Sequence, residues 1–126
     1  LKEKKKNKTN KQLNKQITLG LNNIKSKKNI IIAYEPIWSI GTGKIPHKTE
    51  IKEMHKNITE IVNSKTKKNV KVLYGGWVNE NNIEEILSVK NVCGVLVGGA
   101  SLKIKDFLAI YSSAVKYLDK IHNIKD

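Results

Sequence analysis

Residues 29–44 read Asn29-Ile30-Ile31-Ile32-Ala33-Tyr34-Glu35-Pro36-Ile37-Trp38-Ser39-Ile40-Gly41-Thr42-Gly43-Lys44, and the rest of the chain is organised around them. Residues 30–34 are a short apolar, β-branched run of the kind that forms a fully buried strand. Glu35 stands at the carboxyl end of that run. Pro36 has no N–H to give to a ladder, so the strand stops there. Gly41-Thr42-Gly43 then supplies a permissive backbone. A carboxylate therefore sits between a rigid strand and a loop able to move over it, an arrangement suited to a general base working under a lid.

Outward from this stretch the hydrophobic period alternates between helix and strand. On its amino-terminal side Leu13, Ile17, Leu21 and Ile24 fall on one helical face, beginning near Thr9, while residues 1–8 read as a solvated, frayed lysine-rich segment. Lys25, Lys27 and Lys28 crowd the end of that helix, where cations favour its dipole. On the carboxyl-terminal side Thr49 is a candidate cap for a second helix, whose stripe is Ile51, Met54, Ile58, Ile61 and Val62. A second strand is expected over 70–74, closed by Gly75-Gly76. Asn81 with Glu84 has capping-box spacing ahead of a short helix carrying Ile83, Ile86 and Leu87. A third strand is expected over 92–97, closed by Gly98-Gly99. A last helix places Phe107, Leu108, Tyr111, Val115 and Leu118 on one side, and residues 119–126 read as a loose polar end. Strands separated by helices pair parallel, with helices over both faces and chemistry at the strands' carboxyl ends. The class is α/β, with three parallel strands and four helices in one domain.

Three stretches, in this order, carry a family resemblance: residues 33–44 (Ala-Tyr-Glu-Pro-Ile-Trp-Ser-Ile-Gly-Thr-Gly-Lys), Leu73-Tyr74-Gly75-Gly76, and Leu96-Val97-Gly98-Gly99-Ala100-Ser101-Leu102. They resemble the catalytic-glutamate, lid and phosphate-binding segments of the triosephosphate isomerase family. The likeness runs from about residue 1 to about residue 117 and covers only the carboxyl-terminal half of that enzyme. It implies that residues 1–126 are the carboxyl-terminal portion of a (β/α)8 TIM barrel whose amino-terminal strands are missing. A chain that begins with Leu1, with its one methionine at Met54, reads the same way. The complete enzyme would interconvert dihydroxyacetone phosphate and D-glyceraldehyde 3-phosphate through an enediolate, in glycolysis and gluconeogenesis, as a cytoplasmic homodimer with no metal and no organic cofactor.

The resemblance also implies roles. Glu35 would be the base that shuttles a proton between adjacent carbons. Gly41, at the lid tip, would offer its backbone N–H to the substrate phosphate. Trp38 would be a packed hinge residue and Lys44 a contact at the lid's base. Trp77, Gly98 and Gly99 would bind substrate, because paired glycines let backbone N–H groups approach a dianion and a helical turn opening at Gly98-Gly99 favours negative charge.

Two residues depart from the family pattern. Trp77 stands where the family usually has serine, and its indole cannot supply the same short hydroxyl. Pro46 offers no backbone N–H to the tyrosine matching Tyr74. The Asn-x-Lys of the family's first strand and the histidine of its fourth have no counterpart in these 126 residues, so Glu35 is a base without an electrophile. The alternative reading is a truncated or decayed, inactive remnant.

Composition sets the remaining bounds. The formal charge is +13, and all 24 basic residues are lysine. A nucleic-acid-binding module is the lesser alternative, since readers of guanine and phosphate rely on arginine forks. The abundance of Lys, Asn and Ile fits A- and T-rich codons. Cys93 is the single cysteine, which excludes a disulfide framework; within an apolar run it is expected to be buried. His47, His55 and His122 show no ligand spacing and are expected to be solvated. No run approaches the length of a membrane span.

Overall fold

The structure, a computed structural model, describes residues 2–26, 28–37 and 45–125. Its elements are helix α1 (Lys2–Leu21), strand β1 (Ile31–Tyr34), helix α2 (Lys48–Thr66), strand β2 (Lys71–Tyr74), helix α3 (Ile83–Leu87), a 3-10 turn (Gly99–Leu102) and helix α4 (Ile104–Lys125). β1 and β2 pair in parallel, with Ile31 opposite Lys71 and Tyr34 opposite Tyr74. The α/β class and the alternation of helix and strand are as the periodicity predicts.

The expected third strand is corrected. Among the described residues the sheet has two strands, and the 92–97 stretch meets β2 through one parallel bridge, Tyr74 with Val95. Three hydrogen bonds hold it there: Cys93 N–H to the Val72 carbonyl (3.0 Å), Tyr74 N–H to Gly94 (2.9 Å) and Leu96 N–H to Tyr74 (2.9 Å). The stretch follows a strand's path beside β2 but among the described residues has no neighbour on its outer side to extend the ladder, and Gly94 interrupts it with a residue that has no side chain to pack.

Two cores flank the sheet. Ile51, Tyr74, Val78, Ile83, Ile86, Val89 and Ile110 form one, under α3 and α4. Leu21, Ile58, Val62, Val70 and Val72 form the other, between α1, α2 and the strands. α2 enters both because Ile51, Ile58 and Val62 lie on one helical stripe. Its end is a left-handed residue, Lys67 at φ 55°, whose N–H returns to the Asn63 carbonyl at 2.8 Å; the Asn63 side chain then takes the N–H of Val70 at 2.9 Å and steers the chain into β2.

Several local expectations are revised. α1 already includes residues 2–8, joined to α2 by an Asn57–Asn10 side-chain bond of 3.1 Å and a Lys6–Glu53 ion pair. It ends at Leu21, so no lysine occupies its last turn. α2 is capped at His47 rather than Thr49, and α3 at Asn82 rather than Asn81. The 119–125 segment is the end of α4, not a loose tail. β1 is not fully buried: Ile31 and Ala33 are exposed, because nothing among the described residues covers that side. On α4 the residue that enters the core is Ile110, while the stripe of Phe107, Leu108, Tyr111, Val115 and Leu118 faces solvent.

Candidate active site

The register of the sheet gathers the candidate residues at one end. Tyr34 and Tyr74 are opposite each other, so Glu35 and Gly75 leave the sheet side by side. The N–H of Gly75 donates to the Tyr34 carbonyl at 2.7 Å, extending the ladder one step. A Cβ built on Gly75 would lie 3.2 Å from that carbonyl oxygen and 3.8 Å from the Glu35 Cβ, which shows how closely the glycine turn approaches the carboxylate-bearing residue. Val95 pairs with Tyr74, so Gly98 and Gly99 also follow the chain out at this end.

Glu35 is exposed and lines a groove of about 1200 Å³ between α1, β1 and the first half of α2, together with Pro36, Ile37, Pro46 and Glu50. Gly41 lies outside the described residues, as do Trp38 and Lys44.

The turn after β2 is tied down from its own backbone. Asn82, buried, donates from Nδ2 to the Trp77 carbonyl at 2.9 Å and accepts the Asn79 N–H at Oδ1 at 2.8 Å. Val78 anchors in the core beside it. Trp77 therefore has a fixed backbone and an indole that is half exposed. At the other turn the Gly98 carbonyl accepts both the Ser101 N–H (2.9 Å) and the Ser101 hydroxyl (2.6 Å), closing the Gly99–Leu102 turn. Ser101 thus binds the carbonyl that precedes the turn and leaves the N–H groups at its start to other acceptors. Cβ atoms at Gly98 and Gly99 would meet nothing within 4 Å, so no packing among the described residues demands glycine at either place.

Beneath this end of the sheet lies a buried cluster that the sequence reading missed. His55, expected to be solvated, is fully buried. Its ring stands edge-on to Tyr34 at 5.8 Å between centroids and tilted against Tyr74 at 6.1 Å. Neither His55 nitrogen, nor the Tyr74 hydroxyl, has a hydrogen-bond partner among the described residues. Burial lowers the His55 pKa by penalising the cation; the Asn91 backbone opposes this to a smaller extent without reaching hydrogen-bond geometry. Burial, aided by Tyr34, pushes Tyr74 up to about 12. The signal for His55 was its spacing: four residues after Ile51 and three before Ile58, it lies on the apolar stripe of α2. Pro46 is buried close by in the same groove wall as Ile51 and contributes no N–H.

Cys93, expected to be buried, is exposed, because its stretch is the edge of the sheet. Among the described residues no group of three or more His, Cys, Asp or Glu side chains converges on a point, and no helix is long and apolar enough to cross a membrane.

A family profile described as triosephosphate isomerase matches residues 1–114. The triosephosphate isomerase of Mycoplasma mobile is 48% identical over 102 residues, covering 81% of this chain and 40% of that protein. That of Borreliella burgdorferi is 42% identical over 106 residues, covering 79% and 42%. A crystal structure of triosephosphate isomerase from Bartonella henselae superposes with a TM-score of 0.73 at 36% identity, covering 89% of this chain and 46% of that one. The chain spans less than half the length of these relatives.

Proposed function

Since the chain belongs to the triosephosphate isomerase family, we propose that it carries the proton-transfer portion of an isomerase site, with Glu35 as the base, within a barrel completed by further strands. The carboxylate takes a proton from one carbon of a triose phosphate and returns it to the next, so that a ketone and an aldehyde exchange through an enediolate. Backbone N–H groups at Trp77 and at the Gly98-Gly99 turn, with that of Gly41 from the lid, hold the phosphate. The single observation that supports this best is the shared sheet end: Glu35 and Gly75 emerge in register, with the Gly98-Gly99 turn following from the adjacent chain.

The enediolate needs a positive or hydrogen-bonding partner for its oxygen. Neither the Asn-x-Lys nor the histidine that the family uses occurs at a matching place in these 126 residues. The 126-residue chain by itself is therefore expected to show no turnover of dihydroxyacetone phosphate, and the activity belongs to the completed barrel. That enzyme acts in the cytoplasm, as a homodimer, with no cofactor. In a completed barrel Glu35→Gln keeps the shape of the side chain and loses its basicity. Its kcat should fall by a factor on the order of 10²–10⁴ with KM nearly unchanged. A variant with parental kcat would remove Glu35 from the role.

One observation favours a second reading, an inactive remnant. The Tyr74 hydroxyl is buried without a partner among the described residues. The same assay separates the two: a completed barrel that binds a phosphorylated inhibitor but never turns over is the remnant.

A further inference from the structure

The turn that leaves β2 is held at both of its ends and free in between. At its start the Gly75 N–H donates to the Tyr34 carbonyl at 2.7 Å. At its finish the Trp77 carbonyl accepts from Asn82 Nδ2 at 2.9 Å. Between these anchors stand the N–H groups of Gly76 and Trp77, and neither has an acceptor among the described residues. The turn brings no hydroxyl, so what its backbone offers an anion is this pair of N–H groups. Asn82 stands directly before α3, where an asparagine side chain ordinarily accepts an N–H of the helix's first turn. Here it makes no such bond. It is buried, takes the Asn79 N–H at Oδ1 (2.8 Å) and turns Nδ2 to Trp77 instead. Capping falls to Asn79, whose Oδ1 accepts the N–H groups of Asn81 (2.8 Å) and Asn82 (3.0 Å). The core grips this arrangement on either side, through Val78 before it and Ile83 and Ile86 after it.

We propose that Asn82 is a positioning residue for phosphate: through the Trp77 carbonyl it holds the N–H groups of Gly76 and Trp77 in the orientation that binds the substrate's phosphate, without touching the substrate itself. The proposal rests on the phosphate-binding part of the reading above and stands apart from the assignment of Glu35 as base. Two glycines run through the turn, and a glycine backbone is otherwise free to rotate. With the N–H fixed at Gly75 and the carbonyl fixed at Trp77, few torsions between them remain open. Without the Asn82 bond the ligand itself has to order the turn, and ordering one residue's backbone on binding costs a factor of roughly ten in affinity. Asn79 serves the helix and Asn82 serves the turn, and this division separates a structural loss from a positioning loss.

The test uses a completed barrel, made by joining the 126-residue chain to the residues of the Mycoplasma mobile enzyme that lie outside its matched segment. Inorganic phosphate is titrated while the amide resonances of Gly76 and Trp77 are followed, and the Tm of each variant is measured. Asn82→Leu keeps the side-chain volume and loses both hydrogen bonds, and Asn82→Ala is the second variant. Each should weaken phosphate binding about tenfold. Asn79→Ala removes the acceptor at the start of α3 and leaves the Trp77 bond in place. It should lower Tm while weakening phosphate by less than about threefold. A second measurement needs only the 126-residue chain. Exchange of the Asn79 amide, bonded to Asn82 Oδ1, should quicken by at least about tenfold in Asn82→Leu. It should stay parental in Asn81→Ala, whose side chain is exposed and bonds nothing among the described residues. Asn82 variants that bind phosphate no more weakly than Asn79→Ala overturn the proposal and leave the phosphate reading standing, and so does an Asn79 amide whose exchange Asn82→Leu leaves unchanged. Gly76 and Trp77 amides that phosphate does not move in the parent overturn the phosphate reading and the proposal together. Turnover is not read, so neither result bears on Glu35.

Discussion

Val72 and Tyr74 of β2 are sealed on all sides, whereas Ile31 and Ala33 of β1, paired with Lys71 and Leu73 one strand away, stand open. The helices repeat the contrast. The stripe of α2 buries Ile51, Ile58 and Val62, while the equally apolar stripe of α4 leaves Phe107, Leu108 and Tyr111 in solvent. Among the described residues the middle of the chain supplies its own cover and the flanks do not. Hydrophobic period therefore states which residues need a neighbour, and topology decides whether that neighbour is within these 126 residues. The candidate site straddles the boundary. Gly75, Gly76 and Trp77 follow the sealed strand, and Glu35 follows the open one.

The largest effect that would break this contrast is a stability difference between middle and flank. Ile83 has no exposed surface, so Ile83→Ala should lower unfolding stability by about 2–5 kcal/mol, the range for a buried aliphatic truncation. Leu108→Ala, on the open face of α4, should change it by less than about 0.5 kcal/mol. Urea unfolding followed by circular dichroism measures both. Equal losses would mean that α4 is covered in solution by something this chain provides.

A smaller effect separates two glycines. At Gly76 a Cβ would overlap the Tyr74 hydroxyl and ring, which are buried and cannot retreat freely. Gly76→Ala should cost about 1–3 kcal/mol through overpacking. Gly20, near the end of α1, has open space at its Cβ, and Gly20→Ala should stabilise by about 0.5–1 kcal/mol because alanine loses less backbone freedom in a helix. The contrast sharpens with Tyr74→Phe. It removes a hydroxyl that has no partner among the described residues and the atom nearest to the new methyl, so it should recover part of the Gly76→Ala loss. If the double variant is no better than the single, the ring itself is the obstacle.

Much of this was legible beforehand, and the failures share a cause. Glu35 at a strand end, the Gly75-Gly76 turn and the stripes of α2 and α3 follow from residue type and spacing alone. The third strand, the burial of Cys93 and the full burial of β1 are expectations that each presuppose a neighbour absent from the described residues. These are statements about flanks, where sequence pattern describes a requirement that this chain leaves unmet. His55 failed for another reason. Its polar type points to solvent and its position on an apolar stripe points to the core, and the position decides, because imidazole between two tyrosines is accommodated as an aromatic ring. The residues at positions 38–44, Gly41 among them, lie outside the described residues, so the lid remains an expectation drawn from resemblance.

His55 yields the smallest and most selective test of the middle against the flanks. It faces Tyr34 from β1 and Tyr74 from β2, and no charged group partners either of its nitrogens among the described residues. Burial holds its folded-state pKa below the ordinary value of 6.5. In the unfolded chain the imidazole takes up a proton as pH falls through 6.5, while the folded chain resists doing so. The unfolded state then binds more protons, and stability rises with pH across that window. The contribution is fully present above 6.5 and is lost progressively as pH falls below it. One proton changes stability by at most about 1.4 kcal/mol per pH unit, so the loss half a unit below 6.5 stays under about 1 kcal/mol. His47 and His122 are exposed and serve as internal controls. Denaturant midpoints measured from pH 7.5 to 5.5 should decline for the parent chain and for His122→Gln alike. His55→Phe should flatten the decline, because a ring of similar shape that cannot be protonated fills the same space between the tyrosines. A parent chain whose stability is level across the window, or a His55→Phe variant that keeps the full slope, would show that this imidazole reaches water and that the middle of the molecule is less sealed than Tyr74 and Val72 indicate.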